Sequence, residues 1–186
     1  ERYCLTIAEI LLKQGHQVDL FWSGNKTLID LAQKRFSLDI SSLNLVEDIF
    51  GISLSQIDLV PDVQAISSLN PHPIPSSKIT RLYQKFNISR RYDLLFFLSD
   101  GSLPWMYSRK NFLHVQVPFN HPISPLNRLI NRLKIQCIDT IICNSRFTQK
   151  FTQKMYPQAS TTVLYPPVDV DQFSPVKNKK NIILSV

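Results

Sequence analysis

The stretch that decides the fold is Tyr92-Asp93-Leu94-Leu95-Phe96-Phe97-Leu98, a nearly continuous apolar run. Such a run is typical of a strand that is covered on both faces. The pattern then alternates along the chain, with strands predicted at 112–117, 140–143 and 161–164 and helices at 126–138 and 145–156. Strands that alternate with helices at this spacing predict an α/β fold, with a mostly parallel sheet and helices on both faces.

The first half of the chain gives weaker signals of the same kind. Apolar residues at helical spacing predict a helix over residues 5–12, and Gly15 stands where a C-terminal cap belongs. Pro71, Pro73 and Pro75 exclude a helix or a central strand there. The remaining assignments are a strand at 18–22, a helix at 28–36, short apolar runs at 43–46 and 57–60, and a basic helix at 78–86.

Composition excludes several classes of protein. The chain has 186 residues, of which 44% are hydrophobic and 19% charged, as in an ordinary globular domain. It has only four glycines, and no two of them lie close enough to form a glycine-rich loop that cradles a phosphate. A dinucleotide fingerprint and a nucleotide-binding P-loop are therefore excluded within these residues.

Charge and cysteine content narrow the setting. With 21 Lys and Arg against 14 Asp and Glu, the net charge is +7, which attracts phosphates, nucleic acid or acidic lipid headgroups. Three cysteines without C-x-x-C spacing indicate neither a disulfide framework nor a zinc site, and favour a reducing compartment. No apolar stretch approaches the roughly twenty residues that span a bilayer. We expect a protein that is soluble or peripheral.

Polar residues that follow the strands are the candidate site residues, because ligands of open α/β sheets bind beyond the carboxyl ends of the strands. His114 and Gln116 are two apart in a predicted strand, which places both side chains on one face. They would hydrogen-bond a polyhydroxy substrate, with His114 a candidate proton shuttle; alternatively, His114 is a strand-end histidine satisfied by backbone and water. The other candidates on this rim are Asp100, Gly101, Asn120, His121, Ser145 and Arg146.

Some of these candidates have a structural alternative. Asp100 could serve the turn that follows its strand. Ser145 is favoured as a helix cap over a nucleophile, since no nucleophile-elbow glycines surround it. Arg146 could add a cation to an anion site, although a solvated side chain is favoured. In the basic helix, Tyr83 and Phe86 are three apart, which favours a core face over nucleic-acid binding and leaves contact with anionic lipid open.

Four segments resemble retaining glycosyltransferases of family 4. Residues 1–18, beginning Glu1-Arg2, are similar to their Gly-Gly-x-Glu-Arg segment and the following Gly-His-x-Val, with the glycine pair expected just before Glu1. Residues 141–148 resemble their strand-to-helix step, residues 163–175 their Val-Asp-x-x-x-Phe-x-Pro exit, and residues 182–186 the strand that opens their C-terminal domain. The order of the four segments matches the family.

The resemblance implies one half of a GT-B architecture. Residues 1–164 are expected to be a Rossmann-like, acceptor-binding domain truncated at its start, 165–180 an interdomain linker, and 181–186 the first strand of a donor-binding domain. The implied activity is transfer of a hexose from a nucleotide-sugar to a hydroxyl acceptor, with the fragment inactive alone. The nucleotide-sugar is a substrate bound mostly by the other domain, so no cofactor or metal is expected.

The same resemblance bears on the site. Aligning Pro118 with the family pattern tyr-x-His-x-Pro places Gln116 where the functional histidine stands, so that Gln116, His114 or His121 takes that role, and Glu1 joins the acceptor-binding candidates. Independently of the resemblance, the cysteine and charge content predict a cytoplasmic location, with peripheral contact at an anionic membrane face and without nucleic acid. The alternative function is a non-catalytic Rossmann-like module that binds an anionic polymer or a membrane surface.

Overall fold

The computed structural model describes residues 2–22, 24–46, 78–99, 101–117 and 125–168. Within them the strands form two parallel sheets, one of β1 and β2 and one in the order β3-β4-β5-β6. The elements are α1 (Arg2–Lys13), β1 (Asp19–Phe21), α2 (Lys26–Phe36), β2 (Asn44–Val46), α3 (Lys78–Ser89), β3 (Leu94–Ser99), β4 (Lys110–Val115), α4 (Pro125–Gln136), β5 (Thr140–Cys143), α5 (Arg146–Met155) and β6 (Thr161–Val163).

These elements confirm the predicted α/β, Rossmann-like class and most of the assigned helices and strands. The predicted run at 57–60, the proline-rich loop at 70–75, residues 169–180 of the predicted linker and the strand expected at 181–186 lie outside the described residues.

Helices cover both faces of the four-stranded sheet. On one face, Leu113, Val115 and Ile141 are almost completely buried under α4 and the end of α5, which contribute Ile135 and Tyr156. On the other face, the Tyr3 ring of α1 stacks on His114 and Phe96, at centroid distances of 4.1 and 6.3 Å. Both faces of this sheet therefore take part in a core, as the continuous apolar runs predicted.

Strand β3 is less covered than its apolar sequence predicted. Leu95 is buried, but Leu94 on the opposite face is 41% exposed, and Phe96 and Leu98 are only half-buried. The reason is a cavity of about 1500 Å³ lined by α1, β1 and β3. An apolar run shows that a strand can be buried on both faces, and the cavity leaves one of these faces incompletely covered.

The two sheets are linked across this cavity at their amino ends. The Tyr92 hydroxyl donates to Asp19 Oδ2 at 2.6 Å, and the Tyr92 ring meets Phe21 edge-on at 5.6 Å. Burial, together with the bond to the Asp19 carboxylate, raises the pKa of Tyr92 to about 12. The phenol thus remains a neutral donor to this carboxylate over the ordinary pH range.

Gly15 ends α1 in the predicted way. Its φ is +85°, its amide donates to Leu12 O at 2.9 Å, and the next amide, of His16, donates to Leu11 O at 3.1 Å. A side chain with a Cβ is strained in this left-handed conformation, whereas Asn adopts it more readily than other residues.

We expect Gly15→Ala to lower the free energy of unfolding by about 1 kcal/mol, because a Cβ disfavours the left-handed conformation. Gly15→Asn is the matched control and should cost clearly less. Urea denaturation followed by circular dichroism measures both variants. Equal stability of Gly15→Ala and the parent would contradict this account of the helix end.

Candidate functional site

The carboxyl ends of the strands form the predicted rim. Beyond the last residue of each strand, one more backbone bond ties neighbouring strands together: Gln116 N donates to Ser99 O at 3.4 Å, and Asn144 N donates to Val115 O at 3.3 Å. Gln116 therefore lies beside the end of β3, and Asn144 beside the end of β4. The segments after β3, β4 and β5 are brought to one edge, as the parallel topology predicts.

The segment after β3 is held by a buried serine. Ser99 is 1% exposed, and its hydroxyl donates to Ser102 O at 2.6 Å and accepts from Gly101 N at 3.0 Å. Gly101 has a φ of +113°, which few residues with a Cβ adopt. Gly101 is thus a turn residue at the rim, and Ser99 supplies the side-chain bonds of that turn. Asp100 lies outside the described residues.

Asn144 lies in the predicted rim segment that also contains Ser145 and Arg146, but no role for its side chain was predicted from the sequence. Its Nδ2 donates to Gln116 O at 2.8 Å, and its Oδ1 accepts from Thr148 Oγ1 at 2.7 Å. One amide side chain thus ties the segment after β4 to the first turn of α5. A signal was present in the sequence, because Asn144 directly precedes a predicted cap and stands four residues before Thr148, one helical turn away.

Ser145 is a helix cap, as favoured from the sequence. Its backbone is extended, and its Oγ accepts from Thr148 N at 3.1 Å at the start of α5. Arg146 follows in the first helical turn with an exposed side chain. The start of α5 therefore combines backbone N–H groups with a cation, which favours an anion nearby.

Gln116 and His114 do not share a site. The Gln116 side chain is exposed beyond the end of β4, whereas His114 is 1% exposed, inside the strand. Among the described residues, the two ring nitrogens of His114 and the hydroxyl of Tyr3 have no hydrogen-bond partner. Burial lowers the pKa of His114 to about 4. His114 is a neutral core residue, so its predicted place at the rim is wrong. No backbone group in the described part of the chain bonds its ring, although the alternative from the sequence expected backbone and water as partners.

The physical reason is α1. The Tyr3 ring covers the His114 ring, a contact between residues far apart in the sequence. Of the remaining candidates, Glu1, Asn120 and His121 lie outside the described residues. Gly101, Gln116, Ser145 and Arg146 are the candidates that the structure places at the rim.

In the basic helix, the position of Tyr83 differs from the prediction. Phe86 packs edge-on against Tyr107 at 4.9 Å, with the Arg90 guanidinium over its ring at 5.0 Å, but Tyr83 is 65% exposed. Only Phe86 of the pair belongs to a packed face.

In the part of the chain that the structure describes, no three His, Cys, Asp or Glu side chains come together as a metal site requires.

Comparison with protein families identifies the chain. The family described as Glycosyltransferase Family 4 matches residues 1–172, nearly its whole length. The chain belongs to glycosyltransferase family 4. The comparisons with curated proteins and with solved structures gave no match. The match supports a glycosyltransferase role for this family 4 domain, and with it binding of sugar substrates.

The buried His114 makes the family 4 domain sensitive to acid. The unfolded histidine, with a pKa near 6.5, binds a proton at a pH where the folded one does not. We therefore expect the contribution of His114 to the free energy of unfolding to be fully present above about pH 6.5. It should fall as the pH drops toward 4, by up to about 3 kcal/mol. Urea midpoints measured between pH 7.5 and 4.5 check this slope.

His114→Phe should flatten that slope, since it keeps the stacked ring and removes the titrating group. His16 is exposed, and His16→Asn is the matched control that should leave the slope unchanged. An equal slope in the parent and in His114→Phe would show that His114 is not the titrating group.

Proposed function

We propose that this chain is the acceptor-side domain of a retaining glycosyltransferase of the GT-B type, which transfers a hexose from a nucleotide-sugar to a hydroxyl acceptor. The family match over residues 1–172 carries the proposal. The rim supports it, because Gln116, Ser145 and Arg146 follow neighbouring strands at the edge where α/β sheets bind ligands. The same edge carries the exposed polar groups that hydroxyl recognition needs.

The proposed reaction breaks the bond between the sugar C1 and the diphosphate oxygen of the donor and forms a bond from C1 to the acceptor oxygen. The acceptor proton passes to the departing phosphate, so no protein base is required. The contribution of this domain is then to position the acceptor hydroxyl, which can account for a large part of a rate enhancement.

Gln116 is the proposed acceptor-binding residue. Its exposed side-chain amide can donate to and accept from sugar hydroxyls. Its backbone carbonyl accepts a hydrogen bond from Asn144 Nδ2 at 2.8 Å, which fixes the backbone at this position. Arg146 and the amino end of α5 stand two residues beyond Asn144, where they favour the negative charge of a phosphate. Ser145 Oγ is engaged in the cap, and buried His114 is excluded from contact with the acceptor.

The proposed architecture adds a strand and a domain to this chain. The 1500 Å³ cavity lies between β1 and β3, each of which pairs with one described strand. Lys110 N donates to Asp93 O, and Gln116 N donates to Ser99 O. The backbone N–H and C=O groups of every second residue of β3 therefore point toward β4. By alternation the backbone groups of Leu94, Phe96 and Leu98 face the opposite edge. A further parallel strand there would join the two sheets, and 165–180 would link 1–164 to a donor domain beginning at 181–186.

Hydrogen exchange tests this architecture. Extending the chain upstream by the residues that its gene encodes should slow the amides of Phe96 and Leu98 by about tenfold or more, because a strand pairs with them. The amides of β5, which is paired on both edges, should keep their rates. Unchanged exchange at Phe96 and Leu98 would contradict the added strand.

The activity is tested with the full-length gene product and a panel of nucleotide-sugars. We expect transfer or slow hydrolysis of one donor, with the anomeric configuration of the product retained when read by NMR. Gln116→Ala should raise the acceptor KM by about tenfold, which corresponds to about 1.4 kcal/mol for a lost hydrogen bond to a bound hydroxyl.

Two variants serve as controls for Gln116→Ala. Gln136→Ala changes the same residue type at an exposed position in α4, and His114→Phe changes the buried neighbour; neither should alter the acceptor KM. No reaction with any donor would contradict the proposed activity. An acceptor KM that Gln116→Ala leaves unchanged would remove Gln116 from the acceptor site.

A further inference from the structure

The positive charge of this protein is concentrated in one part of the chain. Residues 101–168 contain eight Lys and Arg and one acidic residue, whereas the rest of the chain contains thirteen of each sign. The net charge of +7 therefore resides in residues 101–168. The eight cations are Arg109, Lys110, Arg128, Arg132, Lys134, Arg146, Lys150 and Lys154. The acidic residue, Asp139, is paired with Lys110 at 2.9 Å.

Helices α4 and α5 expose large apolar side chains among these cations. In α4, Leu126, Leu129 and Leu133 are 67, 56 and 46% exposed, at the three- and four-residue spacing of one helical face. In α5, Phe147 and Phe151 are 64 and 36% exposed, with ring centroids 4.8 Å apart. We call these five side chains, together with Arg128, Arg132, Lys150 and Lys154, the basic apolar face.

The two helices are neighbours on one side of the sheet. Ile135 of α4 and Tyr156 at the end of α5 belong to the same buried cluster, and Asn131 Nδ2 donates to the Tyr156 hydroxyl at 3.3 Å. Both helices pack inward through this cluster, so their outer sides both point away from the sheet. Neither helix contains an Asp or a Glu. The basic apolar face is thus cationic and apolar together, without an acidic residue in its helices.

We propose that the basic apolar face docks on an anionic lipid bilayer, with the leucines and phenylalanines in the headgroup region and the Lys and Arg side chains on lipid phosphates. A bilayer surface accepts both kinds of side chain at once, and this combination is the mark of helices that lie in a membrane interface. In the part of the chain that the structure describes, no helix is long and apolar enough to cross a membrane.

Charge and chemistry favour lipid over the other occupants. A nucleic acid would neutralise the cations but give little to exposed leucines, because its outer surface is phosphate and sugar. A second copy of the chain would cover the apolar side chains but bring an equal positive charge against them. An anionic bilayer complements both. This inference does not rest on the proposed transfer reaction, and it is tested without a sugar.

The test is sedimentation of the chain with vesicles of phosphatidylcholine alone and of phosphatidylcholine with 30 mol% phosphatidylglycerol, where about one third of the lipids are anionic. We expect the partition coefficient to be at least about tenfold higher on the anionic vesicles and to fall at high salt. The double variants Leu126→Ser/Leu129→Ser and Arg128→Gln/Arg132→Gln should each lower it by about tenfold. The matched control is Leu31→Ser/Lys34→Gln, at exposed positions of α2, which should bind like the parent.

A second measurement does not depend on loss of binding. Phe147→Trp places an indole on the basic apolar face, and its emission, taken as the difference from the parent, should shift to shorter wavelength on anionic vesicles. Leu31→Trp should show no shift. Circular dichroism checks that each variant is folded.

The proposal is overturned by any of four results. These are equal partition onto neutral and anionic vesicles, equal losses for the face variants and the α2 control, an indole at 147 that stays in water, and leucine-dependent dimerisation in place of vesicle binding. Binding to heparin without binding to vesicles would equally overturn it, since the occupant would then be a soluble polyanion.

Discussion

The two hydrogen-bonded edges of β4 are the constraint on which the rest of the structure depends. The strand pairs with β3 on one side and with β5 on the other, and Leu113, His114 and Val115 are each at most 1% exposed. The strand ends at Val115, and after one further backbone bond to β3 the chain emerges from the core. The backbone carbonyl of the next residue, Gln116, accepts a hydrogen bond from the Asn144 side chain. The exposed amide of the proposed site is thus positioned by the core strand that precedes it.

Local signals in the sequence predicted the elements well, because their causes are local. Strand β5 has the predicted bounds, and Ser145 begins α5 as a cap. Gly15 ends α1 in the left-handed conformation that glycine adopts readily, and for this reason the helix end could be predicted from the sequence. Long-range coverage was harder to predict. The apolar run around Leu94 is the same whether its outer face meets a helix or a cavity, and only the packing of α1 and β1 decides between them.

The site shows the same division. The parallel topology predicted that residues after β3, β4 and β5 meet at one edge, and the bonds of Gln116 and Asn144 to neighbouring strands confirm it. The depth of His114 was not predictable from its neighbours, because it is set by Tyr3, more than a hundred residues away. The role of the Asn144 side chain was not predicted for a related reason: an asparagine after a strand resembles any loop residue until its partner in another segment is known.

The order of the strands in the larger sheet also has a consequence for how the protein is made. Each strand lies beside the one that precedes it in the chain, from β3 to β6, and neighbouring strands are joined by short crossovers. Every strand that leaves the ribosome after β3 therefore finds its partner already synthesised. Entropy of loop closure is modest for such near neighbours, so this sheet can grow in the direction of translation. The larger sheet can thus form strand by strand while the chain is still being synthesised.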